Sequence, residues 1–171
     1  NALCAIACSQ SYGIGRDVIR GSLLQFHGTH RRFEKKGEFD KVTVIDDYAH
    51  HPTEIKATLA AAKHYPHKKL WCVFQPHTYS RTIKLFDEFS NAFSDADELI
   101  LADIYAAREK DNGEVNSNML AESIKKKNVD VRYISSFDGI ADYIRKNASP
   151  GDVVITMGAG DIYKVGDMLL K

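Results

Sequence analysis

The sequence lacks three features that would assign a protein to a class at once: a long apolar run, an excess of one charge, and a large set of cysteines. No segment approaches the roughly 18 consecutive apolar residues of a membrane-spanning helix. Lysine plus arginine and aspartate plus glutamate both number 23, so no overall field attracts nucleic acid or an anionic membrane. We therefore expect neither as a partner, and any recognition of phosphate must be local.

The three cysteines, Cys4, Cys8 and Cys72, form no even disulfide framework, which favours a reducing cytoplasm. Cys72 lies in the apolar run "LWCVF" and is predicted to be a buried thiol. Cys4 and Cys8 are four residues apart on a predicted helix, but a zinc site is disfavoured because no second pair of ligands is nearby. We expect both to pack in a core.

No G-x-x-x-x-G-K-[ST] segment is present, so the chain has no loop of the kind that cradles a triphosphate. If the chain acts on ATP, residues outside it must hold the phosphates. The first residue is Asn1 rather than methionine, and the first helix starts without a capping residue. We expect a piece of a longer protein, although 171 residues with 44% hydrophobic content suffice for one globular core.

The apolar pattern divides the chain into two domains, residues 1–29 and 30–171. Helical spacing predicts a helix pair in the first domain. The second domain opens with a predicted β-hairpin that turns at "KKG", Lys35–Gly37, and then alternates strands with helices. This alternation predicts an α/β fold, a Rossmann-like and mostly parallel sheet with helices on both faces and an antiparallel strand from the hairpin. The predicted strands are Val42–Ile45, Leu70–Phe74, Leu99–Ile104, Val131–Ile134 and Val153–Met157, and the helices are Thr53–Tyr65, Thr78–Ser94, Asn118–Lys127, Phe137–Asn147 and Asp161–Leu170.

Polar residues collect where the predicted strands end, which is where open parallel sheets bind ligands. The four segments concerned are "DDYAHHP", "QPHTYSR", "DIYAAREK" and "GAGD". A metal site built from Asp47, His50 and His77 stays open as an alternative. It is disfavoured, because catalytic zinc sites more often use histidines that lie on one regular element. Asp47 at a strand end is instead suited to accept hydrogen bonds from the hydroxyls of a ribose.

The segment "GAGDIYKVG" contains a G-x-G that could suggest a dinucleotide site. The third glycine does not fall at the spacing of that fingerprint, and the segment follows the last strand rather than opening a βαβ unit. We predict a tight turn that lets the last helix pack closely.

Several motifs together, "RRFE…GEF", "DDYAHHPTEI", "FQPHTYSRT" and "GAGDIYKVG", resemble the carboxyl-terminal domain of the Mur ligases, in order and over nearly all of the chain from His30. The opening "NALCAIA" is similar to the end of a motif in the family's central domain. The resemblance implies that residues 1–29 are the last helices of that ATP-binding domain. It also implies that the chain works together with its own N-terminal and central domains.

Within the family the likeness is greatest to members that join L-alanine to UDP-N-acetylmuramate through an acyl phosphate, in bacterial peptidoglycan synthesis. The resemblance implies ATP and Mg²⁺ as cofactors, held mainly by the central domain, and an isolated chain without activity. Two alternatives stay open: a member that joins UDP-N-acetylmuramate to a preformed peptide, and a free-standing Rossmann-like nucleotide-binding or regulatory module.

The resemblance also implies roles for individual residues. Asn1 would lie near the adenine, Arg32 would reach toward the nucleotide, and Asp47 would bind the ribose. Four residues would surround the incoming alanine and the muramoyl product: Tyr48, His50, His77 and Arg81.

Elementary chemistry supports these roles unequally. Arg81 offers a planar fork suited to a carboxylate. His50 and His77 are the candidate catalytic residues, and either could line the pocket, orient a carboxylate or take a proton from the amine. Some family members carry an arginine where this chain has Thr78. The segment His51–Glu54 is predicted to be structural, with Pro52 in the first turn of a helix.

Overall fold

The structure is a computed structural model that describes residues 2–26 and 28–171, so the role predicted for Asn1 lies outside the described residues. The chain divides into two compact units, Asn1–His30 and Arg31–Lys171. The first unit contains helix α1, Ala2–Ser11, and helix α2, Arg16–Leu24. No helix among the described residues is long and apolar enough to cross a membrane.

The two cysteines of α1 are not in a core. Cys4 and Cys8 are both exposed, and neither α1 nor α2 has a buried residue. The expectation that they pack in a core is therefore wrong for this unit. Two short helices cover only the stripe along which they meet, and an apolar helix such as α1 needs contacts on more sides to be buried.

The second unit is built on one six-stranded sheet, whose strands are β1 Glu34–Phe39, β2 Val42–Asp47, β3 Leu70–Phe74, β4 Glu98–Leu101, β5 Val131–Tyr133 and β6 Val153–Met157. Their order in the sheet is β1-β2-β6-β3-β4-β5. Only β1 is antiparallel to its neighbour, and the remaining pairs are parallel. The mostly parallel α/β sheet predicted from the sequence is thus confirmed.

Helices cover both faces of this sheet, because its strands carry apolar side chains on both sides. Within β3, Cys72 and Phe74 belong to one core cluster while Trp71 and Val73 belong to the other. The helices of this unit are α3 Pro52–Ala62, α4 Tyr79–Lys84, α5 Phe86–Ser90, α6 Ser117–Lys125, α7 Phe137–Asn147 and α8 Tyr163–Leu169. Helices α3, α5 and α6 contribute to the first cluster, and α7 and α8 contribute to the second.

The hairpin β1–β2 exists, but its turn is not at "KKG". Phe39 pairs with Val42, which leaves Asp40 and Lys41 as the two turn residues. Both have positive φ, 45° and 63°, as a type I′ turn requires. Gly37 instead lies at a β-bulge within β1, where a Cβ would come within 3.0 Å of Leu170 Cδ2. The glycine therefore permits a close contact instead of forming the turn.

The single helix predicted over Thr78–Ser94 is interrupted. The backbone leaves the helical region at Leu85, with φ −114° and ψ 25°, between α4 and α5. Neither glycine nor proline occurs in that segment, so no local feature of the sequence predicted the break. The strand predicted over Leu99–Ile104 likewise ends at Leu101, and only Tyr105 returns to pair, in an isolated bridge with His77.

Candidate active site at the carboxyl ends of the strands

Four loops meet at one edge of the sheet, because β2, β6, β3 and β4 are consecutive parallel neighbours. They are the loops predicted to hold the polar residues. The backbone of Gly158 donates to the carbonyl of Asp47 at 3.1 Å, and the backbone of Gln75 donates to that of Met157 at 3.1 Å. These bonds continue the ladders past the strand ends and hold the loops beside one another.

The two aspartates that end β2 face opposite sides of the sheet. Asp46 accepts hydrogen bonds from the hydroxyl of Thr156 at 2.6 Å and from Arg31 Nε at 2.7 Å. Asp47 accepts bonds from the backbone N–H of Phe33 at 2.8 Å and of Ala49 at 2.7 Å. Both carboxylates are buried. Among the described residues, no group of three or more histidine, cysteine or acidic side chains could hold a metal ion.

Arg31 is the arginine built into this edge of the sheet, and sequence reasoning missed it. Besides the bond to Asp46, its Nη2 donates to the carbonyl of Gly158 at 2.7 Å and its Nη1 to that of Gly160 at 3.1 Å. The guanidinium also lies 5.0 Å from the ring of Tyr48 and 4.9 Å from that of Tyr163. Arg31 therefore fastens the end of β2 to the loop after β6.

Its neighbour Arg32, the arginine singled out from the sequence, is exposed. Its guanidinium lies 5.8 Å from the ring of Tyr48, and its charge contributes to lowering the pKa of Glu54. Arg32 is thus close to the predicted site and available to a ligand. The ring of Tyr48 lies close to the guanidinium groups of both arginines, and so it connects the segments "RRFE" and "DDY" in space.

Tyr48, His50, His77 and Arg81 form a continuous series of contacts across two loops. The rings of Tyr48 and His50 meet edge to face at 5.5 Å, and those of His50 and His77 are 6.0 Å apart. Arg81 Nη1 lies 3.1 Å from His77 Nδ1 and also donates to the carbonyl of His77 at 3.3 Å. The structure thus brings together the four residues predicted to surround the incoming alanine and the muramoyl product.

Glu54 lies in the first turn of α3, completes a capping box with His51 and also reaches His50. Its Oε2 accepts from the backbone N–H of His50 at 3.0 Å and of His51 at 3.2 Å, while His51 Nδ1 accepts from the backbone of Thr53. The same oxygen lies 3.4 Å from His50 Nδ1. Burial acts to raise the pKa of Glu54, but these backbone bonds and the charge of His50 outweigh it, so the pKa is lowered.

His77 is held from two sides. Its ring stacks on that of Tyr105 with centroids 5.5 Å apart, and Arg81 lies on its Nδ1 side. Burial lowers the pKa of His77, and the positive charge of Arg81 and, once His50 is protonated, that of His50 lower it further, against a smaller opposite effect of Glu109. These effects favour the neutral form of His77.

Thr78 adopts a strained backbone where it connects this site to α4. Its φ is +68° with ψ 145°, a region that β-branched residues rarely adopt. Its N–H donates to the carbonyl of Tyr105 at 2.9 Å, and its carbonyl accepts from the hydroxyl of Thr82 at 2.8 Å. These bonds hold the strained peptide in place, and strain of this kind is typical of functional sites.

Glu109 was not predicted and closes the far side of the site. It accepts hydrogen bonds from the hydroxyl of Ser80 at 2.5 Å and from the backbone of Ser80 at 2.8 Å, which lower the pKa of Glu109. Glu109 is remote in sequence from Ser80, so no spacing rule relates them. The resulting cleft of about 540 Å³ is open and polar and is lined by His51, Thr78, Ser80, Arg81, Lys84, Leu85 and Glu109.

The glycines of "GAGD" allow close contact between loops. A Cβ on Gly160 would lie 2.4 Å from Gln75 Oε1 and 2.8 Å from the ring of Tyr105. A Cβ on Gly158 would lie 2.9 Å from the carbonyl oxygen of Gln75. The tight turn expected here is present, but it packs against the loop after β3. The glycine that brings α8 close to Val44 is Gly166, which lies within α8 itself.

The fold is thus an α/β domain of the doubly wound kind, with polar residues collected at one edge of its sheet. The sequence matches the family described as "Mur ligase, glutamate ligase domain" over residues 31–160, and the chain therefore belongs to the Mur ligase family. The resemblance drawn from its motifs is confirmed.

Individual relatives cover the whole chain. It is 57% identical over 171 residues to the UDP-N-acetylmuramate–L-alanine ligase of Clostridium tetani, of which it covers 38%. It superposes on the crystal structure of the UDP-N-acetylmuramate–alanine ligase of Thermotoga maritima with a TM-score of 0.82 and 28% identity, covering 99% of this chain and 36% of that one. For the murein peptide ligase of Psychrobacter arcticus the TM-score is 0.68 and the identity 29%, over 99% of this chain and 35% of that one. The chain thus spans little more than a third of the length of these relatives.

Proposed function

We propose that the chain is the carboxyl-terminal part of an ATP-dependent ligase that joins L-alanine to UDP-N-acetylmuramate in the bacterial cytoplasm. The observation that carries this proposal is the contact series from Tyr48 through His50 and His77 to Arg81. Support comes from the relative of that activity at 57% identity. In this proposal residues 1–29 belong to the central ATP-binding domain, Asn1 lies near the adenine, and the chain acts together with its own N-terminal and central domains.

The alanine-binding role rests on the donors that Arg81 leaves open. Its Nη1 is engaged by His77, and within the described part of the chain no hydrogen-bond partner lies on Nε or Nη2, which leaves both for the carboxylate of an amino acid. The rings of His77, His50 and Tyr48 continue the contact series from Arg81 and provide further groups for the same ligand.

The nucleotide-binding role rests on Asp47 and Arg32. Each oxygen of Asp47 accepts one backbone N–H, and a carboxylate oxygen has a second lone pair that could accept from a ribose hydroxyl. Arg32 is exposed and offers a positive charge toward phosphate. We propose that ATP and Mg²⁺ are held mainly by the central domain and that this chain contributes these two contacts.

The decisive experiment is a ligase assay of the full-length protein with alanine, serine, glycine and tripeptide as acceptors. We expect alanine to be the preferred acceptor, and a preference for tripeptide would overturn the proposal.

Arg81→Gln should raise the KM for alanine by roughly 10- to 100-fold, the effect of losing a charged hydrogen bond. Lys125→Gln, at an exposed position of α6, is the matched loss of one charge and should leave the KM unchanged.

The nucleotide contact is tested with Asp47→Asn in the full-length protein, because the amide oxygen of asparagine can keep one of the two backbone N–H bonds that Asp47→Ala would lose altogether. We expect a raised KM for ATP, unchanged binding of UDP-N-acetylmuramate and unchanged folding by circular dichroism. An unaltered KM for ATP would rule out the ribose contact.

This chain alone should neither ligate alanine nor hydrolyse ATP. Turnover by the isolated chain would contradict the proposal that ATP is held mainly by the central domain.

A further inference from the structure

We propose that the two histidines of the site have opposite tautomers and therefore opposite tasks. Nε2 of His50 accepts a proton, and Nε2 of His77 donates a hydrogen bond. The tautomers follow from the structure alone. The assignment of the proton to a substrate amine rests in addition on the proposed function.

The partner of His50 fixes its tautomer. His50 Nδ1 lies 3.0 Å from the carbonyl oxygen of Tyr48, which can only accept a hydrogen bond. Nδ1 must therefore carry the hydrogen, and in the neutral ring Nε2 keeps its lone pair. Glu54 Oε2, 3.4 Å from the same Nδ1, adds a negative charge on that side and would stabilise the ring once it is protonated.

The partner of His77 fixes the opposite tautomer. Arg81 Nη1 lies 3.1 Å from His77 Nδ1, and a guanidinium can only donate. Nδ1 must therefore present its lone pair, which places the hydrogen of the neutral ring on Nε2. A second proton could enter only at Nδ1, where it would displace the bond from Arg81 and add a like charge beside it.

The two rings therefore present complementary groups to one ligand. The rings are in edge-to-face contact with centroids 6.0 Å apart, so one ligand beside the pair can reach both. Among the described residues, no hydrogen-bond partner is recorded for Nε2 of either ring. The charged and titratable groups that face them are Tyr48 and Glu54 beside His50, and Tyr105, Arg81 and Glu109 beside His77.

An amine that arrives as an ammonium must lose a proton before it can attack an acyl carbon. In the proposed step one N–H bond of the ammonium breaks, its electron pair stays on the amine nitrogen, and the proton bonds to His50 Nε2. The resulting imidazolium keeps its Nδ1–H on the carbonyl of Tyr48, beside the carboxylate of Glu54. His77 meanwhile donates its Nε2–H to an oxygen of the ligand. Glu54 is in this scheme a positioning residue for His50.

The tautomers can be measured directly on this chain by two-bond ¹H–¹⁵N correlation NMR with ¹⁵N-labelled histidine at a pH where both rings are neutral. Variants His50→Gln and His77→Gln each remove one set of signals and so assign them. We expect the hydrogen on Nδ1 for His50 and on Nε2 for His77. The same tautomer at both positions, or the reverse assignment, would overturn the inference whatever the enzyme does.

The tasks are tested by the same two substitutions in the full-length protein. A glutamine amide can replace an Nε2–H donor, but it cannot act as a base. His50→Gln should therefore lower kcat at least 100-fold, the usual minimum for loss of a general base, while His77→Gln should lower it less than about 10-fold. Equal losses, or the larger loss at His77, would overturn the assignment of tasks. If the unaltered enzyme does not use alanine, the proposed function fails while the NMR result stands by itself.

Discussion

The guanidinium of Arg31 and the carboxylate of Asp46 form an ion pair of 2.7 Å in which the two side chains are 13% and 2% exposed. The pair fastens the segment before β1 to the end of β2, and the remaining donors of Arg31 fasten the loop after β6. Since both loops contribute to the site, this pair determines where Tyr48 lies relative to the glycines of "GAGD".

Arg31→Ala should destabilise the second unit by about 3 kcal/mol or more, because it leaves Asp46 charged and buried without its partner. Arg31→Lys should recover only part of this, since an ammonium cannot replace three diverging N–H donors. The measurement is urea unfolding followed by fluorescence of Trp71. Trp71 is the single tryptophan, is buried, and reports on this unit alone.

The control for Arg31 is its neighbour. Arg32→Ala removes the same charge from an exposed side chain and should change stability by no more than about 0.5 kcal/mol. If the two alanine variants unfolded at the same urea concentration, Arg31 would not fasten the end of β2 to the loop after β6 as described above.

Lys41→Gly should stabilise the hairpin by about 1 kcal/mol, because Lys41 has a φ of 63° that costs a side-chain-bearing residue roughly that amount. Gly37→Ala should destabilise it, since the new methyl group would come within 3.0 Å of Leu170. Both are measured by the same urea unfolding. A stabilising Gly37→Ala would mean that the bulge tolerates a side chain and that the contact with Leu170 is loose.

Arg81→Gln should raise the pKa of His77, because it removes a positive charge 3.1 Å from the ring and leaves the burial nearly unchanged. The pKa is read from the histidine resonances of this chain across a pH titration. Lys125→Gln removes one charge from an exposed position of α6 and should leave the pKa of His77 unchanged. A pKa of His77 that stays constant in Arg81→Gln would show that burial alone lowers it.

The three thiols should react at different rates with a water-soluble thiol reagent. Cys4 and Cys8 are exposed and should react at once, whereas Cys72 is buried in β3, and burial raises the pKa of its thiol. Cys72 should react only after urea is added. In Cys72→Ala the two rapidly reacting thiols should remain and the slowly reacting one should be absent. A third rapidly reacting thiol in the unaltered chain would contradict the burial of Cys72 in β3.

Much of the sheet was predictable because its information is local. The runs "LWCVF" and "VVITM" are apolar at every position, which is typical of strands covered on both faces, and β3 and β6 have the bounds predicted for them. The opposite orientation of Asp46 and Asp47 also follows from the two-residue period of a strand. The hairpin turn was misplaced because Gly37 suggested a turn, while Asp40 and Lys41 adopt positive φ without being glycine.

The chain's own sequence thus determined the α/β fold, the family and the strand ends that carry polar residues, since each depends on periodicity or on motifs within a few residues. The tertiary structure decided which of the two adjacent arginines fastens the end of β2 to the loop after β6. The carbonyls of Gly158 and Gly160 that Arg31 binds are 127 and 129 positions away in the sequence. It also decided the tautomers of His50 and His77, because a ring nitrogen carries or lacks a hydrogen according to whether its neighbour in space accepts or donates.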